Sequence, residues 1–305
     1  MVFLLLEDAL EEYEYHCLAK GFTQKTMKNK LQEYKQLKRF LKEKRGIIEL
    51  ESITVFDLKA HFREKQKAGL QPSSIVSMHK MITAFFNWCH NEGYLAENLM
   101  RKVERPKVPK KVLKGFTPKE VQSMIEAFSN KEYLEVRNKA IVAMLADCGL
   151  RSMEIRGLKT SNVNTTTLLV NGKGNKERTV FISPKLKKIL IRYERLKKEY
   201  FADRPTSGDH YFLTYTGNCL SHVALFNIIK EAGRRAKVEE KRVSPHTFRH
   251  FYSVQSLSGK NGLDLHSLSM LLGHSSVEIT QRYLSSMTLE QLSEKAIKSS
   301  PLMNI

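Results

Sequence analysis

The stretch T-L-L-V-N-G-K-G-N-K-E-R-T-V-F-I at residues 167–182 is a hairpin pattern in a chain that otherwise shows helical periodicity. Two runs of apolar and β-branched residues flank a turn that contains Gly and Asn, which is typical of two antiparallel strands. The sequence therefore predicts a mainly α protein with a small β hairpin, in which the hairpin belongs to a mixed α/β domain.

Helical signals lie on both sides of this hairpin. At residues 117–120, T-P-K-E supplies Thr117 as a cap and Glu120 as its capping-box partner, so a helix and a second domain begin near residue 116. A further helix is predicted from about residue 133 to 148, where Gly149 ends it. After the hairpin, Pro184 begins another helix, and the rest to about residue 299 is predicted to be mostly helical.

The first hundred residues predict a small helical bundle. Apolar residues such as Met27, Tyr34 and Leu37 recur at helical spacing, with the lysines expected elsewhere on the helix. Residues 101–116 hold seven basic residues, one acidic residue and two prolines, so they predict an extended basic linker. The predicted organisation is a helical domain over 1–100, a basic linker over 101–116 and a second domain over 117–305.

The charge balance points to a polyanionic partner. The 305 residues include 51 Lys and Arg against 32 Asp and Glu, which gives a formal net charge of +19. Such an excess favours nucleic acid, then an anionic membrane surface, while a generally lysine-rich proteome is the bland alternative. Ordinary hydrophobic content, 41%, excludes disorder as the main state.

Cysteine spacing and hydropathy indicate the cellular setting. The four cysteines, at positions 17, 89, 148 and 219, form no CxxC pair, so we expect reduced core residues in a cytoplasmic protein. No apolar run reaches the ~18–20 residues that a membrane span needs, and the N-terminus is a poor signal peptide. We therefore expect no membrane association and an amphipathic first helix.

Two basic motifs flank and occupy the hairpin. In G-L-R-S-M-E-I-R-G-L at 149–158, Arg151 and Glu154 stand three residues apart, a spacing that usually marks a surface ion pair. In G-K-G-N-K-E-R at 172–178, Lys173 is predicted at the hairpin tip, where an ammonium group can reach a ligand. The order of residues there is not that of a phosphate-binding P-loop. Either motif alone is a weak signal.

Two further motifs carry His, Arg and Tyr. In S-P-H-T-F-R-H at 244–250, His246 and Arg249 share one helix face, whereas the Glu of a zinc-binding H-E-x-x-H is absent. In L-L-G-H-S-S-V-E-I-T-Q-R-Y at 271–283, His274 follows a helix-ending Gly and Tyr283 comes nine residues later. A single His or Tyr in such places is most often ordinary packing. We expect no metal site and no cofactor.

Taken together in this order, the four motifs resemble the catalytic core of the tyrosine recombinases, the phage-integrase and Xer family. The resemblance covers residues 116–290 and extends more loosely over 1–100, which are similar to the family's helical core-binding domain. It implies the active-site set Arg151, Lys173, His246, Arg249, His274 and Tyr283. Glu154 and Arg178 also match pattern positions, without an implied catalytic role.

The resemblance implies transesterification at a DNA phosphodiester. Tyr283 would attack phosphorus, forming a 3′-phosphotyrosyl bond that conserves the phosphodiester energy. Arg151 and Arg249 would hold the non-bridging oxygens with His274 as a third donor. His246 would accept the tyrosine proton, and Lys173 would protonate the leaving 5′-oxygen.

The family also implies the assembly. Four copies act on two inverted-repeat DNA sites and exchange strands through a Holliday junction, and a tail helix at about 288–299 docks on a neighbour or on its own domain. Y-L-S-S-M after Tyr283 lacks a His found in many relatives, and no arm-binding domain is evident. Both features favour a role in the integration, excision or resolution of a mobile element or replicon. We expect the protein to be associated with the nucleoid of a bacterial or archaeal type of cell. Accessory proteins are candidate partners, and a type IB topoisomerase-like enzyme and a non-catalytic DNA-binding protein on the same fold remain alternatives.

Overall fold

In the computed structural model, the chain forms two compact units, Met1–Lys111 and Val112–Ile305. The structure describes residues 4–109, 114–172, 177–258, 262–274 and 276–284. Lys173 and the predicted tail helix at about 288–299 therefore lie outside the described residues. The three-part division at residues 100 and 116 stays a prediction.

The first unit is a four-helix arrangement within its described residues. Its helices are α1 Leu6–Ala19, α2 Gln24–Arg45, α3 Val55–Lys67 and α4 Pro72–Asn91, followed by a 3₁₀ turn over Leu99–Lys102. Local chemistry fixes their ends. The Thr54 hydroxyl accepts from the backbone N–H of Asp57, whose carboxylate accepts in return from the backbone of Thr54. Gly46 ends α2 in the left-handed conformation.

The predicted apolar stripe of α4 forms the centre of the first unit. Ile82, Phe85 and Phe86 are completely buried, together with residues of α1, α2 and α3. Packing continues beyond residue 100, because Val103 is buried and its carbonyl oxygen lies 2.7 Å from Nε2 of His79.

One lysine of the first unit departs from the predicted exposure. Lys30 on α2 is buried, and its Nζ donates to the hydroxyls of Tyr13 at 3.0 Å and Tyr34 at 3.2 Å. The ammonium also lies 4.8 Å from the ring centre of Tyr13. Burial lowers the pKa of Lys30. We expected the lysines of this helix to be hydrated. At Lys30 the hydroxyls of the two tyrosines and the ring of Tyr13 take the place of water.

The second unit carries the hairpin and the remaining helices. Its elements are α5 Pro118–Glu126, α6 Tyr133–Cys148, α7 Ser152–Arg156, β1 Thr167–Asn171, β2 Glu177–Phe181, α8 Pro184–Tyr200, α9 His222–Arg235, α10 Pro245–Ser258, α11 Leu265–Leu272 and α12 Val277–Leu284, with a 3₁₀ turn at Thr160–Asn162. The capping box between Thr117 and Glu120 is confirmed. So are the end of α6 at left-handed Gly149 and the start of α8 after Ser183.

The two strands pair antiparallel, as predicted. Leu168 pairs with Val180 and Val170 pairs with Arg178. Leu168, Val170 and Val180 are buried against the core, which alternation along the strands predicts for one packed face. Arg178 of β2 forms hydrogen bonds to α7 and α11, which are described below.

Helix α6 lies at the centre of the second unit. Buried residues occur around nearly its whole circumference, as expected for a core helix, and it packs on α8 and α10. The segment 201–221 between α8 and α9 is irregular, with isolated bridges Lys159–His210 and Leu213–Cys219. The prediction of mostly helical structure after the hairpin is therefore wrong for this segment.

The cysteines and helix lengths complete the description. All four cysteines are free, and three are buried, but Cys219 is exposed, so its prediction as a core residue is wrong. In the parts of the chain that the structure describes, no helix has the length and apolar character of a membrane span.

Candidate active site

Helix α10 presents the motif S-P-H-T-F-R-H from its first turns. Ser244 is buried, and its hydroxyl accepts from the backbone N–H of Thr247 at 3.3 Å, which caps the helix just before Pro245. Five residues into α10, Arg249 is 3% exposed. Its Nη1 donates to the carbonyl of Gly149 at 2.8 Å, and its Nη2 donates to the carbonyl of Leu272 at 2.6 Å. The guanidinium thus lies between the ends of α6 and α11.

A buried carboxylate fixes the second arginine. Arg151 follows Gly149 at the start of α7, and its Nη1 donates to Glu154 at 2.9 Å while its Nη2 donates to the carbonyl of Gly273 at 3.1 Å. Arg178 of β2 donates to both oxygens of Glu154, at 2.8 and 2.9 Å, and to the carbonyl of Leu271. Glu154 is 6% exposed, so its pair with Arg151 is not the surface ion pair that this spacing usually marks.

The charge state of Glu154 follows from these contacts. Burial raises the pKa of its carboxyl, but the hydrogen bonds and charge of Arg178 and the hydrogen bonds from Arg151 outweigh burial and lower the pKa to about 2. Glu154 is therefore ionised at neutral pH. It neutralises part of the positive charge and orients Arg151, whose side chain stays about one-third exposed and accessible to a ligand.

His274 lies directly after left-handed Gly273 at the end of α11. Its Nε2 is 3.0 Å from Nη2 of Arg249, and its Nδ1 is 2.7 Å from the hydroxyl of Thr280 on α12. A guanidinium can only donate, so Nε2 must accept and the proton resides on Nδ1. Burial and the charges of Arg249 and Arg151 lower the pKa of His274 to about 4, which keeps the ring neutral.

Tyr283 of α12 lies beside the rings of His274 and His250. Its ring lies 6.2 Å from that of His274, nearly parallel, and 5.6 Å from the ring of His250, edge to face. It is partly exposed. Burial and the charge of Arg151 lower the pKa of Arg249 to about 10, and Tyr283 opposes this effect.

The two histidines of α10 differ in environment. His246 is exposed by its surface area, but the protein around it still displaces part of its hydration, and this desolvation and the charges of Arg249 and Arg242 lower its pKa. His250 is buried, burial lowers its pKa, and neither ring nitrogen has a hydrogen-bond partner among the described residues. Both rings therefore favour the neutral form.

Four of the six predicted active-site residues lie in one constellation: Arg151, Arg249, His274 and Tyr283. His246 lies on the same helix as Arg249, and the charges of Arg249 and Arg151 reach it. The sixth, Lys173, lies outside the described residues. The motifs gave no role to four residues that the structure places at the site. Glu154, Thr280 and His250 each contact a predicted residue, and Arg178 contacts Glu154. Only Glu154 and Arg178 had a sequence signal, since they match positions of the family pattern.

The arrangement suits an anion rather than a metal ion. Two guanidiniums, one of them partly exposed, converge beside a phenol and neutral imidazoles, which is the donor set for phosphate oxygens. Within the described ranges, no group of three or more His, Cys, Asp or Glu side chains is arranged to hold a metal ion.

Known proteins share this sequence pattern and fold. Residues 114–289 match the phage integrase family. The chain belongs to that family. This phage integrase relative is similar to the tyrosine recombinase XerD of Proteus mirabilis, with 29% identity over 234 residues, which are 76% of this chain and 74% of XerD. It is also similar to XerD of Chlorobaculum tepidum, with 31% identity over 233 residues, 74% and 75% of the two chains.

A solved structure extends the likeness to the fold. A lambda integrase tetramer bound to a Holliday junction matches this phage integrase relative with a TM-score of 0.73 and 17% identity, covering 92% of this chain and 77% of that one. The predicted family and the predicted fold class, mainly helical with a small hairpin, are both confirmed.

Proposed function

We propose that this tyrosine recombinase cuts and rejoins DNA at specific sites with Tyr283 as its nucleophile. The observation that carries the proposal is the convergence of Arg249, His274 and Tyr283 at the junction of α10, α11 and α12. Each comes from a different element, so their proximity is a product of the fold and not of local sequence.

The proposed reaction is a transesterification. The phenol oxygen of Tyr283 forms a bond to phosphorus, and the bond from phosphorus to the 5′-oxygen breaks. The phenol loses its proton, and the 5′-oxygen gains one. The DNA strand is left with a 3′-phosphotyrosyl link and a free 5′-hydroxyl. A 5′-hydroxyl from another strand then attacks the same phosphorus and releases Tyr283, so no nucleotide cofactor is consumed.

Fixed cations would stabilise the transition state. Negative charge grows on the non-bridging oxygens as phosphorus becomes five-coordinate, and donors held in place before the reaction stabilise it without reorganisation. Arg249 is held by three acceptors and Arg151 by Glu154 and the Gly273 carbonyl, so both are preorganised. With a pKa of about 10, Arg249 stays charged at neutral pH.

The proton transfers fall to His246 and Lys173. Only about one free tyrosine in a thousand is ionised at pH 7, so Tyr283 needs an acceptor for its proton. His246 is exposed and its pKa is lowered, which supports a neutral imidazole able to accept it. Lys173 is the proposed acid for the 5′-oxygen.

The proposed partner is double-stranded DNA that carries inverted-repeat recombination sites. The net charge of +19 supports a polyanionic ligand, and the similar lambda integrase is seen as a tetramer on a Holliday junction. We accordingly propose a homotetramer on DNA, acting at the nucleoid in the cytoplasm. Integration, excision or resolution of a mobile element or replicon is the proposed role, with accessory proteins as candidate partners.

Covalent trapping tests this function. Wild-type protein and Tyr283→Phe are incubated with a supercoiled library of inverted-repeat DNA in the presence of a chelator, and denaturing gels are run for a protein–DNA adduct. We expect an adduct with the wild type alone, while gel shifts show equal DNA binding by both. An adduct with Tyr283→Phe would show that another residue is the nucleophile. No adduct on any DNA would favour a non-catalytic DNA-binding protein.

A further inference from the structure

Thr280 is the one completely buried polar side chain of α12, and it is bonded to the active site although the proposed mechanism does not use it. Its hydroxyl lies 2.7 Å from Nδ1 of His274. Three residues further along α12 stands Tyr283, so Thr280 and Tyr283 share a face of the same helix. His274 thus connects the helix that carries the nucleophile to Arg249.

We propose that Thr280 is a positioning residue that holds His274 with its proton on Nδ1 and its Nε2 lone pair toward Arg249, and so seats Tyr283 against the cationic pocket. The inference rests on the proposed function, because the pocket it organises is the one assigned to DNA cleavage.

Hydrogen-bond chemistry excludes the other neutral arrangement in the free protein. If the proton were on Nε2, that N–H would point at the N–H of Arg249, and two donors would face each other at 3.0 Å. Thr280 must therefore accept from Nδ1–H. A hydroxyl does this, whereas a methyl group in its place leaves a buried donor without a partner, which is costly.

The same contact prepares His274 for the phosphate. In the free protein Nε2 is an acceptor, so His274 becomes a donor to a phosphate oxygen only after Nε2 takes a proton from water. The resulting imidazolium keeps its Nδ1–H on Thr280, and its Nε2–H donates to a phosphate oxygen that has entered between Nε2 and Arg249. Thr280 accepts from Nδ1–H in both states, so this contact is the same before and after the substrate enters.

Two variants separate this role from simple packing. Thr280→Val keeps the branched shape and removes the hydroxyl, whereas Thr280→Ser keeps the hydroxyl and removes a methyl group. We expect the single-turnover cleavage rate to fall about tenfold or more in the Val variant, the size of one ordinary hydrogen bond, with DNA affinity unchanged. The Ser variant should cleave within about threefold of the wild type.

A spectroscopic measurement on the free protein gives a second readout. With ¹⁵N-labelled histidine, and the His274 signals assigned by His274→Gln, the wild type should show a protonated Nδ1 and an unprotonated Nε2. Thr280→Ser should give the same pattern, and Thr280→Val should lose it while circular dichroism still shows a folded protein.

The outcomes distinguish the two proposals. Wild-type tautomer and wild-type cleavage in Thr280→Val would overturn the positioning role, as would an equal loss in the Ser and Val variants. If the wild type formed no adduct at all, the proposed function would fail, yet the tautomer measurement would still test the link between Thr280 and His274.

Discussion

Replacing Glu154 with glutamine removes the negative charge that two arginines share while nearly preserving the shape of the side chain. The carboxylate is buried and accepts from the backbone N–H of Arg151 at 2.7 Å, from Nη1 of Arg151, and twice from Arg178. A neutral amide cannot accept all four bonds, and it turns two of its own donors toward guanidiniums. We expect Glu154→Gln to destabilise the second unit.

The size of the effect follows from the pKa of Glu154. Folding lowers this pKa from 4.5 to about 2, and each unit corresponds to about 1.4 kcal/mol, which gives roughly 3 kcal/mol of stability at pH 7. Breaking a buried ion pair by removing one partner costs about 3–5 kcal/mol, in agreement. Because the folded pKa is depressed, this contribution is present above about pH 4.5 and is lost as the pH falls toward about 2.

Urea unfolding followed by circular dichroism at several pH values tests this reasoning. The wild type should exceed Glu154→Gln by roughly 3 kcal/mol at pH 7, and the gap should close as the pH approaches 2. Glu231→Gln is the matched control, because Glu231 also pairs with two arginines, Arg234 and Arg235, but in solvent, and should change little. Equal effects of the two substitutions, or a gap independent of pH, would refute the account.

Three further predictions concern chemistry and backbone. Lys173→Ala should slow cleavage and be rescued by a substrate with a better 5′ leaving group; a loss that such a substrate does not restore contradicts its role as the acid. Arg249→Lys should bind DNA but cleave about 100-fold more slowly in single-turnover assays, because one ammonium cannot reproduce the hydrogen bonds of the guanidinium. A wild-type cleavage rate would show that Arg249 does not act in catalysis. Gly149→Ala should cost roughly 3 kcal/mol in urea unfolding, since φ is +59° and the new Cβ would lie 2.4 Å from Tyr252, whereas Gly46→Ala, at φ +69° with no atom near, should cost about 1 kcal/mol. Equal costs of the two substitutions would show that the contact with Tyr252 is unimportant.

Helix ends and the hairpin were predictable because their signals are local. Thr117 and Glu120 satisfy each other's backbone groups within one turn, and Gly149 ends α6 with a left-handed conformation that favours glycine. The alternating apolar residues of the two strands likewise place one face of each strand toward the core. Such features depend mainly on neighbouring residues in the sequence.

The environment of the site could not be predicted because it depends on distant segments. Glu154 is a surface residue by its local pattern, and only the approach of Arg178, 24 residues later, explains its burial. Lys30 is similar, since the hydroxyls that replace its water come partly from another helix. The contact between Thr280 and His274 has an ordinary sequence spacing, and nothing in the pattern marks the Thr as a partner.

The motifs predicted which residues form the site, whereas the structure shows their hydrogen-bond roles and their neighbours. His274 was expected as a donor, but its bond to Arg249 makes it an acceptor in the free protein. His246 was expected next to the phenol, and the rings found against Tyr283 are those of His250 and His274. The part of each residue in proton transfer stays a prediction for the experiments above.

The most direct test of the central claim is to identify the amino acid that is joined to DNA. The trapped adduct is digested with nuclease and trypsin, and the peptide that retains a nucleotide is sequenced by mass spectrometry. Trypsin cleaves after Arg282 and Lys295, so the peptide 283–295 begins with Tyr283 and holds no other tyrosine, while Tyr252 falls in a separate peptide. The account predicts a 3′-nucleotide on Tyr283 alone. A nucleotide on Tyr252 or on any other residue would contradict it.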